Sequence, residues 1–338
     1  MYTRMTQRIG LAIPAFLLAC SLAFAEGLHP VDVDGKWGYI DDKGTMTIAA
    51  TFDEAAPFSE GLARVVRGEE RGYIDENGKL VIKHEFHTAG DFHEGLARVY
   101  RKEGLIGGKY GFIDKKGETV IYPKFNDAGD FNDGLAAVKQ NGKWGYIDAK
   151  GELRVKPQFD EAAMFSDHLA RVQAGGDWGG KFGYIDTSGK MVINPKYDEC
   201  TSFCDGLAGV KQDGKWGFIN KSGAVVIEPQ FSEVGHCMEG LVPVRVGSLL
   251  GAKWGFVDKS GKVVINPQYE AVRSFENGLA AVRQDGKWGY VDKTGKNVIK
   301  PAYDEAMDFT DGNVAQVKVG GKCGYVDAKG DFVWNPLS

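Results

Sequence analysis

One short segment of this sequence carries side chains with the chemistry of a metal site. His84, His87 and His93 fall within ten residues, beside Glu85, Asp91 and Glu94, and they are half of the chain's six histidines. Imidazoles and carboxylates together are ligands for zinc or copper. His84 and His87 lie where a strand passes into a loop, so the spacing does not place the rings on one side. A solvated polar surface is the expected role. No metal and no cofactor is expected; if the chain holds a metal ion, His84, His87 and His93 are the ligands to test.

The other reactive residue types point away from catalysis. No H-E-x-x-H, G-x-S-x-G or phosphate-binding glycine loop occurs, so the common hydrolase and nucleotide signatures are missing. Aspartates recur as D-x-x-G, but without the further ligands and closing Glu of a calcium loop. Asp32-x-Asp34-Gly35 is only a fragment of one. The expected task of these aspartates is to cap turns. The chain has five cysteines. Cys200 stands where other copies of a repeat have Ala55 or Ala162, and Cys237 where they have Phe58 or Phe165. Both are expected to be small buried residues. A Cys200–Cys204 or Cys204–Cys237 bridge is the alternative.

The elements that must position all of this are repeats. Lys215-Trp216-Gly217-Phe218-Ile219-Asn220-Lys221-Ser222-Gly223 returns along the chain, with its aromatic-Gly pair at Trp37, Tyr110, Trp144, Phe182, Trp216, Trp254 and Trp288. Arg71-Gly72 and Cys323-Gly324 fill the same slot. The nine copies are spaced 34, 39, 34, 38, 34, 38, 34 and 35 residues apart. A fixed period of this length marks a stacked array. Each unit reads as three short strands, as in Leu279–Val282, Trp288–Val291 and Val298–Ile299. Asp285-Gly286 makes a tight hairpin. Asp292-Lys293-Thr294-Gly295 makes a capped turn. Pro301 stops the last strand from offering a donor there. The glycine after the aromatic leaves room for a close backbone approach, and the aromatics are expected to fill the core between units. Tyr303–Phe309 could add a fourth strand.

Units of about 35 residues with three clear strands are short for a propeller blade. The expectation is therefore an all-β, open superhelical stack of three-stranded antiparallel units, with a propeller-like closed array as the alternative. The hairpins entering the third, fifth and seventh units carry insertions (102–108, 174–180 and 246–251), which share one side if consecutive units alternate in direction. Leu105, Ile106, Trp178, Leu249 and Leu250 at their tips are candidate binding residues, because apolar tips on one face of a solenoid suit a partner.

Residues 1–25 read as an export signal. Arg4 and Arg8 precede an apolar run from Ile9 to Ala19, and Ala23-Phe24-Ala25 offers a cleavage site. The run is short for a membrane span and is interrupted by Pro14. Leu17-Leu18-Ala19-Cys20 resembles a lipobox, so lipidation at Cys20 is the alternative to simple cleavage. The mature chain, 26–338, is then a single array of nine units with atypical ends. Loss of Arg4 and Arg8 takes the formal net charge from -5 to -7, a poor balance for nucleic acid or anionic membrane surfaces.

The pattern G-L-A-x-V, then K-W-G-Y-I-D-x-x-G-x-x-V-I-x-P-x-F-D, resembles the WG-repeat family from about Val31 to Pro336. The departures are Arg71 and Cys323 at the aromatic, His84 at the proline and His168 at the glycine before Leu169. The resemblance implies a bacterial repeat protein, often exported, that binds other molecules without catalysis. The expectation is a periplasmic or extracellular scaffold for an envelope protein. A glycan-binding module using exposed aromatics is the second reading.

Overall fold

The computed structural model describes residues 27–68, 70–83, 86–102, 107–175, 180–247, 251–310 and 312–337. All regular structure among them is β, arranged as nine separate antiparallel sheets. Among the described residues no helix is long and apolar enough to cross a membrane. Blade 1 has three strands, β1 (His29–Val33), β2 (Lys36–Ile40) and β3 (Met46–Phe52). Blade 2 has four: β4 (Glu54–Ser59), β5 (Leu62–Arg67), β6 (Glu70–Ile74) and β7 (Leu80–Lys83). Blade 3 is β8 (Thr88–His93), β9 (Leu96–Lys102), β10 (Gly108–Asp114) and β11 (Thr119–Phe125). Blade 4 is β12 (Asp127–Asn132), β13 (Leu135–Gln140), β14 (Lys143–Asp148) and β15 (Leu153–Phe159). Blades 5 to 9 repeat the four-stranded pattern.

The array is a closed nine-bladed β-propeller. The open three-stranded stack is thereby corrected in favour of the closed alternative. Two physical facts explain the difference. First, the D-E-A-x-x-F segment is a strand, the innermost of the next blade, but a break in register between Ala55 and Phe58 hides its alternation. Second, a blade fits into about 34 residues because its connections are minimal. Asp34-Gly35 and Asn141-Gly142 take positive φ in two-residue hairpins, and only Asp53 separates β3 from β4.

The core lies between blades rather than within them. Tyr39, Ile48 and Phe52 of blade 1 pack on Phe58, Ala63, Val65 and Ile74 of blade 2. One such cluster fills each joint, and the ninth, Val31, Ile40, Val314 and Tyr325, joins blade 9 to blade 1. The residue two after the Trp is the centre of each joint. Tyr146 meets Phe165 of the next blade edge-on at 4.8 Å, and its hydroxyl donates to the Ala163 carbonyl at 2.7 Å. Tyr39, Tyr73, Tyr184 and Tyr290 do the same. Burial pushes these phenols above their usual range. At the closure Tyr325 donates to Pro30 O at 2.9 Å.

The glycine of each aromatic-Gly pair is fixed by sterics. A Cβ on Gly145 would lie 2.4 Å from Val155 O and 2.7 Å from Pro157 N of the outer strand. The carboxylate of each D-x-x-G turn accepts amide bonds from two and four residues on, as Asp292 does from Thr294 and Lys296. The Thr294 hydroxyl donates as well. These donors hold Asp292, and likewise Asp186 and Asp258, below the usual carboxylate range. Each carboxylate is committed to its own turn. On the same side, Glu60 accepts from Gly95 of the next blade and pairs with Lys115. Asp167 with Gly206 and Lys221 repeats the motif.

Candidate binding face at the joint of blades 2 and 3

All blades share one polarity. Every hairpin between a blade's second and third strands therefore reaches the same face, whether or not it carries an insertion. That shared polarity, not alternation of direction, gathers the three long hairpins. Their tips, with Leu105, Ile106, Trp178, Leu249 and Leu250, lie outside the described residues.

The aromatic of the pair stands at the base of this face. Trp144 is half-buried against the joint of blades 4 and 5, with the Lys139 ammonium 5.7 Å from its ring. Trp37, Trp216, Trp254 and Trp288 are seated alike. They are core on one side and solvent-facing on the other, between the two roles weighed from sequence.

Blade 2 breaks the pattern. Arg71 occupies the Trp slot, is exposed, and donates through Nη1 to His87 O at 2.7 Å. It makes no ion pair among the described residues. An indole would fill the joint here. Instead a cavity of about 410 Å³ opens between blades 2 and 3, lined by Glu54, Pro57, Arg64, Val66, Arg71 and Thr88 among others. Arg64 lies 3.3 Å from Asp91 of blade 3. A smaller recess of about 140 Å³ adjoins it, lined by Thr88, Ala89, Gly90, Arg98, Tyr100 and Tyr110. Tyr100 and Tyr110 have ring centroids 4.9 Å apart. The long hairpin 102–108 springs from these two strands, directly beyond the tyrosines.

The histidines divide among different neighbours. His87 is exposed, with its ring 6.2 Å from Tyr100. His93 points into the next joint, 4.0 Å from Asp130, which Arg98 also approaches at 3.1 Å. Burial raises the Asp130 carboxyl above its usual range, against the pull of Arg98 and His93. His84 lies outside the described residues. No group of three or more metal-ligating side chains occurs among the described ones. Among the described residues no cysteine forms a disulfide; Cys200, Cys204 and Cys237 are buried and Cys323 is exposed. Burial pushes the Cys200 thiol up to about 11 and that of Cys237 up to about 12.

Sequence reading marked the second unit as unusual through Arg71 and its histidines. It missed Arg64 and the Tyr100–Tyr110 pair. The signal for the tyrosines was present, since Tyr100 stands where Lys139 and Lys211 stand in other units.

Comparison with known proteins agrees with this architecture. The family model described as a WG containing repeat matches residues 37–69, 72–104, 110–144, 144–178, 182–216, 216–249, 254–288 and 288–323. No curated protein sequence matches. Among solved structures, the crystal structure of a eukaryotic initiation factor is similar at a TM-score of 0.67 and 12% identity, covering 91% of this chain and 94% of that one. Hsv2p of Kluyveromyces lactis is similar at a TM-score of 0.39 and 12% identity, covering 60% and 74%. At 12% identity the likeness to the initiation factor is one of fold alone.

Proposed function

This chain belongs to the WG-repeat family, and we propose that it is an exported, non-enzymatic binding protein of the bacterial cell envelope. Its long-hairpin face would hold a protein partner at the joint of blades 2 and 3. The observation that carries this reading is the cavity opened where Arg71 replaces the repeat's aromatic. Elsewhere the repeated polar groups hold turns and joints together. At this joint Arg64 and Arg71 of an otherwise acidic chain line the cavity, and Arg71 makes no ion pair among the described residues. Guanidinium groups bind carboxylates through paired donors, so the partner segment is acidic. The test is photo-cross-linking of the exported protein in its native envelope, with the probe in the 102–108 hairpin. A defined protein adduct, lost in Arg71→Trp, is the expected result. An unchanged adduct in a folded Arg71→Trp variant would contradict it.

A second reading is supported by the Tyr100–Tyr110 pair and the half-exposed Trp rings, which could stack on sugars. Co-sedimentation with peptidoglycan, lost in Tyr100→Ala, would favour it. Export follows the leader-like residues 1–25, cut after Ala25 or before Cys20. Fractionation of cells producing the full-length chain tests that.

A further inference from the structure

Three arginines grip the next blade in the same way, and one of them meets a different side chain there. Arg98 of blade 3 donates through Nη1 to the Ala128 carbonyl of blade 4 at 2.8 Å. Its Nε lies 3.1 Å from Asp130, two residues further on. Arg273 of blade 8 repeats the arrangement on blade 9. Its Nε donates to the Ala306 carbonyl at 2.9 Å, and its Nη1 lies 3.7 Å from Asp308, again two residues on. Arg171 of blade 5 is seated alike, with Nη1 donating to the Cys200 carbonyl of blade 6 at 2.9 Å. Ala128, Cys200 and Ala306 share one register, opposite Val138, Val210 and Val317. Two residues beyond Cys200 stands Ser202. A hydroxyl thus takes the carboxylate's place.

That exchange changes the local charge balance. A half-buried guanidinium is costly without a counter-ion, and Asp130 and Asp308 supply one at the other two positions. Arg171 makes no ion pair among the described residues; the Phe182 ring lies 5.0 Å from its Cζ. His236, at the inner end of blade 7, feels the same charge. Burial first, and then Arg171, hold its ring below the usual range, so the imidazole is neutral at neutral pH. Neither the His236 ring nor the Ser202 hydroxyl hydrogen-bonds to another described residue. The segment carrying Ser202 is fixed on both sides. The Tyr184 hydroxyl donates to the Thr201 carbonyl at 2.6 Å, and the Ser166 hydroxyl to the Phe203 carbonyl at 2.6 Å.

We propose that Arg171, Ser202 and His236 form a binding site for a small organic carboxylate at the inner ends of blades 5, 6 and 7. The guanidinium takes the carboxylate through Nε and Nη2, the donors not committed to Cys200. The Ser202 hydroxyl and a neutral His236 N–H add uncharged donors. One positive charge among neutral donors suits a monoanion rather than a dianion such as phosphate. This site is separate from the cavity at Arg71 and does not depend on it.

The test uses acetate as the probe, titrated into the purified protein at constant ionic strength. The His236 ring resonance is followed by NMR and assigned among the six histidines with His236→Gln. A bound carboxylate favours the imidazolium, so the pH midpoint of His236 is expected to move up and to saturate with acetate. Ser202→Asp supplies the carboxylate that the other two positions already have. It is expected to raise the midpoint without acetate and to abolish the response. Arg171→Gln, which keeps a donor for Cys200, is expected to lose the response as well. No acetate-dependent shift at His236, an equal shift with chloride, or a shift with phosphate and none with acetate would overturn the proposal. So would an undiminished response in either variant.

Discussion

The glycine that names the repeat provides a sharp test of the packing account. Blade 4 contains two glycines in ordinary, negative-φ backbone, Gly129 on β12 and Gly145 on β14. A Cβ on Gly145 meets Val155 O at 2.4 Å and Pro157 N at 2.7 Å. Both atoms are backbone of β15, so no side-chain rotation relieves the contact. The outer strand must move, and the β14–β15 register already shifts there, between Trp144 and Tyr146. Overpacking of this kind costs about 1–3 kcal/mol. A Cβ on Gly129 has its nearest atoms at 3.8 Å, in Ala137 and Met164, which is ordinary contact. There the loss of unfolded-state freedom stabilises by about 0.4–1 kcal/mol. Urea unfolding of Gly145→Ala and Gly129→Ala compares one chemical change in one sheet. The expected result is a lower midpoint for Gly145→Ala and an equal or higher one for Gly129→Ala, with similar slopes. Equal midpoints for the two variants would refute the steric explanation of the repeat's glycine.

Three further outcomes follow from the joints and turns. Tyr146→Phe removes the donor to Ala163 O and should cost about 1 kcal/mol by urea unfolding; no loss would mean that the joint hydroxyls contribute nothing. His168 takes φ +65 where all other units but the ninth, which has Asn313, have Gly, so His168→Gly should raise the urea midpoint, the left-handed backbone penalty of about 1–2 kcal/mol exceeding the exposed pair with Asp133. Burial raises the Asp308 carboxyl above its usual range, opposed by Arg273. A raised carboxyl favours the fold while protonated and loses that contribution as pH rises through its folded value. Asp308→Asn should therefore gain stability relative to the unaltered protein as pH rises from 3 to 7; a difference independent of pH would contradict this.

Much of the blade was legible because backbone constraints are written in residue type. Asp-Gly and D-x-x-G mark positive φ and capped turns, and Gly145 marks a close approach. The fourth strand was harder, because the bulge between Ala55 and Phe58 disrupts alternation and the strand belongs to the next sheet. Closure was legible only as the alternative to an open stack. A period fixes the unit but not the rotation from one unit to the next, and the evidence for the ring is a contact between Tyr325 and Pro30, 295 residues apart. At the candidate site Arg71 announced itself by breaking the pattern. The cavity did not, since it depends on what an indole would have filled between two blades.

The closed ring is the claim on which the rest depends. A Cβ at Gly312 of blade 9 would lie 2.8 Å from Asp42 Cγ of blade 1, within bridging reach of a cysteine pair. With the exposed Cys323 changed to Ser, the double variant Asp42→Cys/Gly312→Cys is oxidised at low protein concentration and run on a non-reducing gel. A closed propeller gives a monomer of altered mobility through an intramolecular disulfide between blades 1 and 9. An open array, with its ends apart, would give only free thiols or intermolecular dimers.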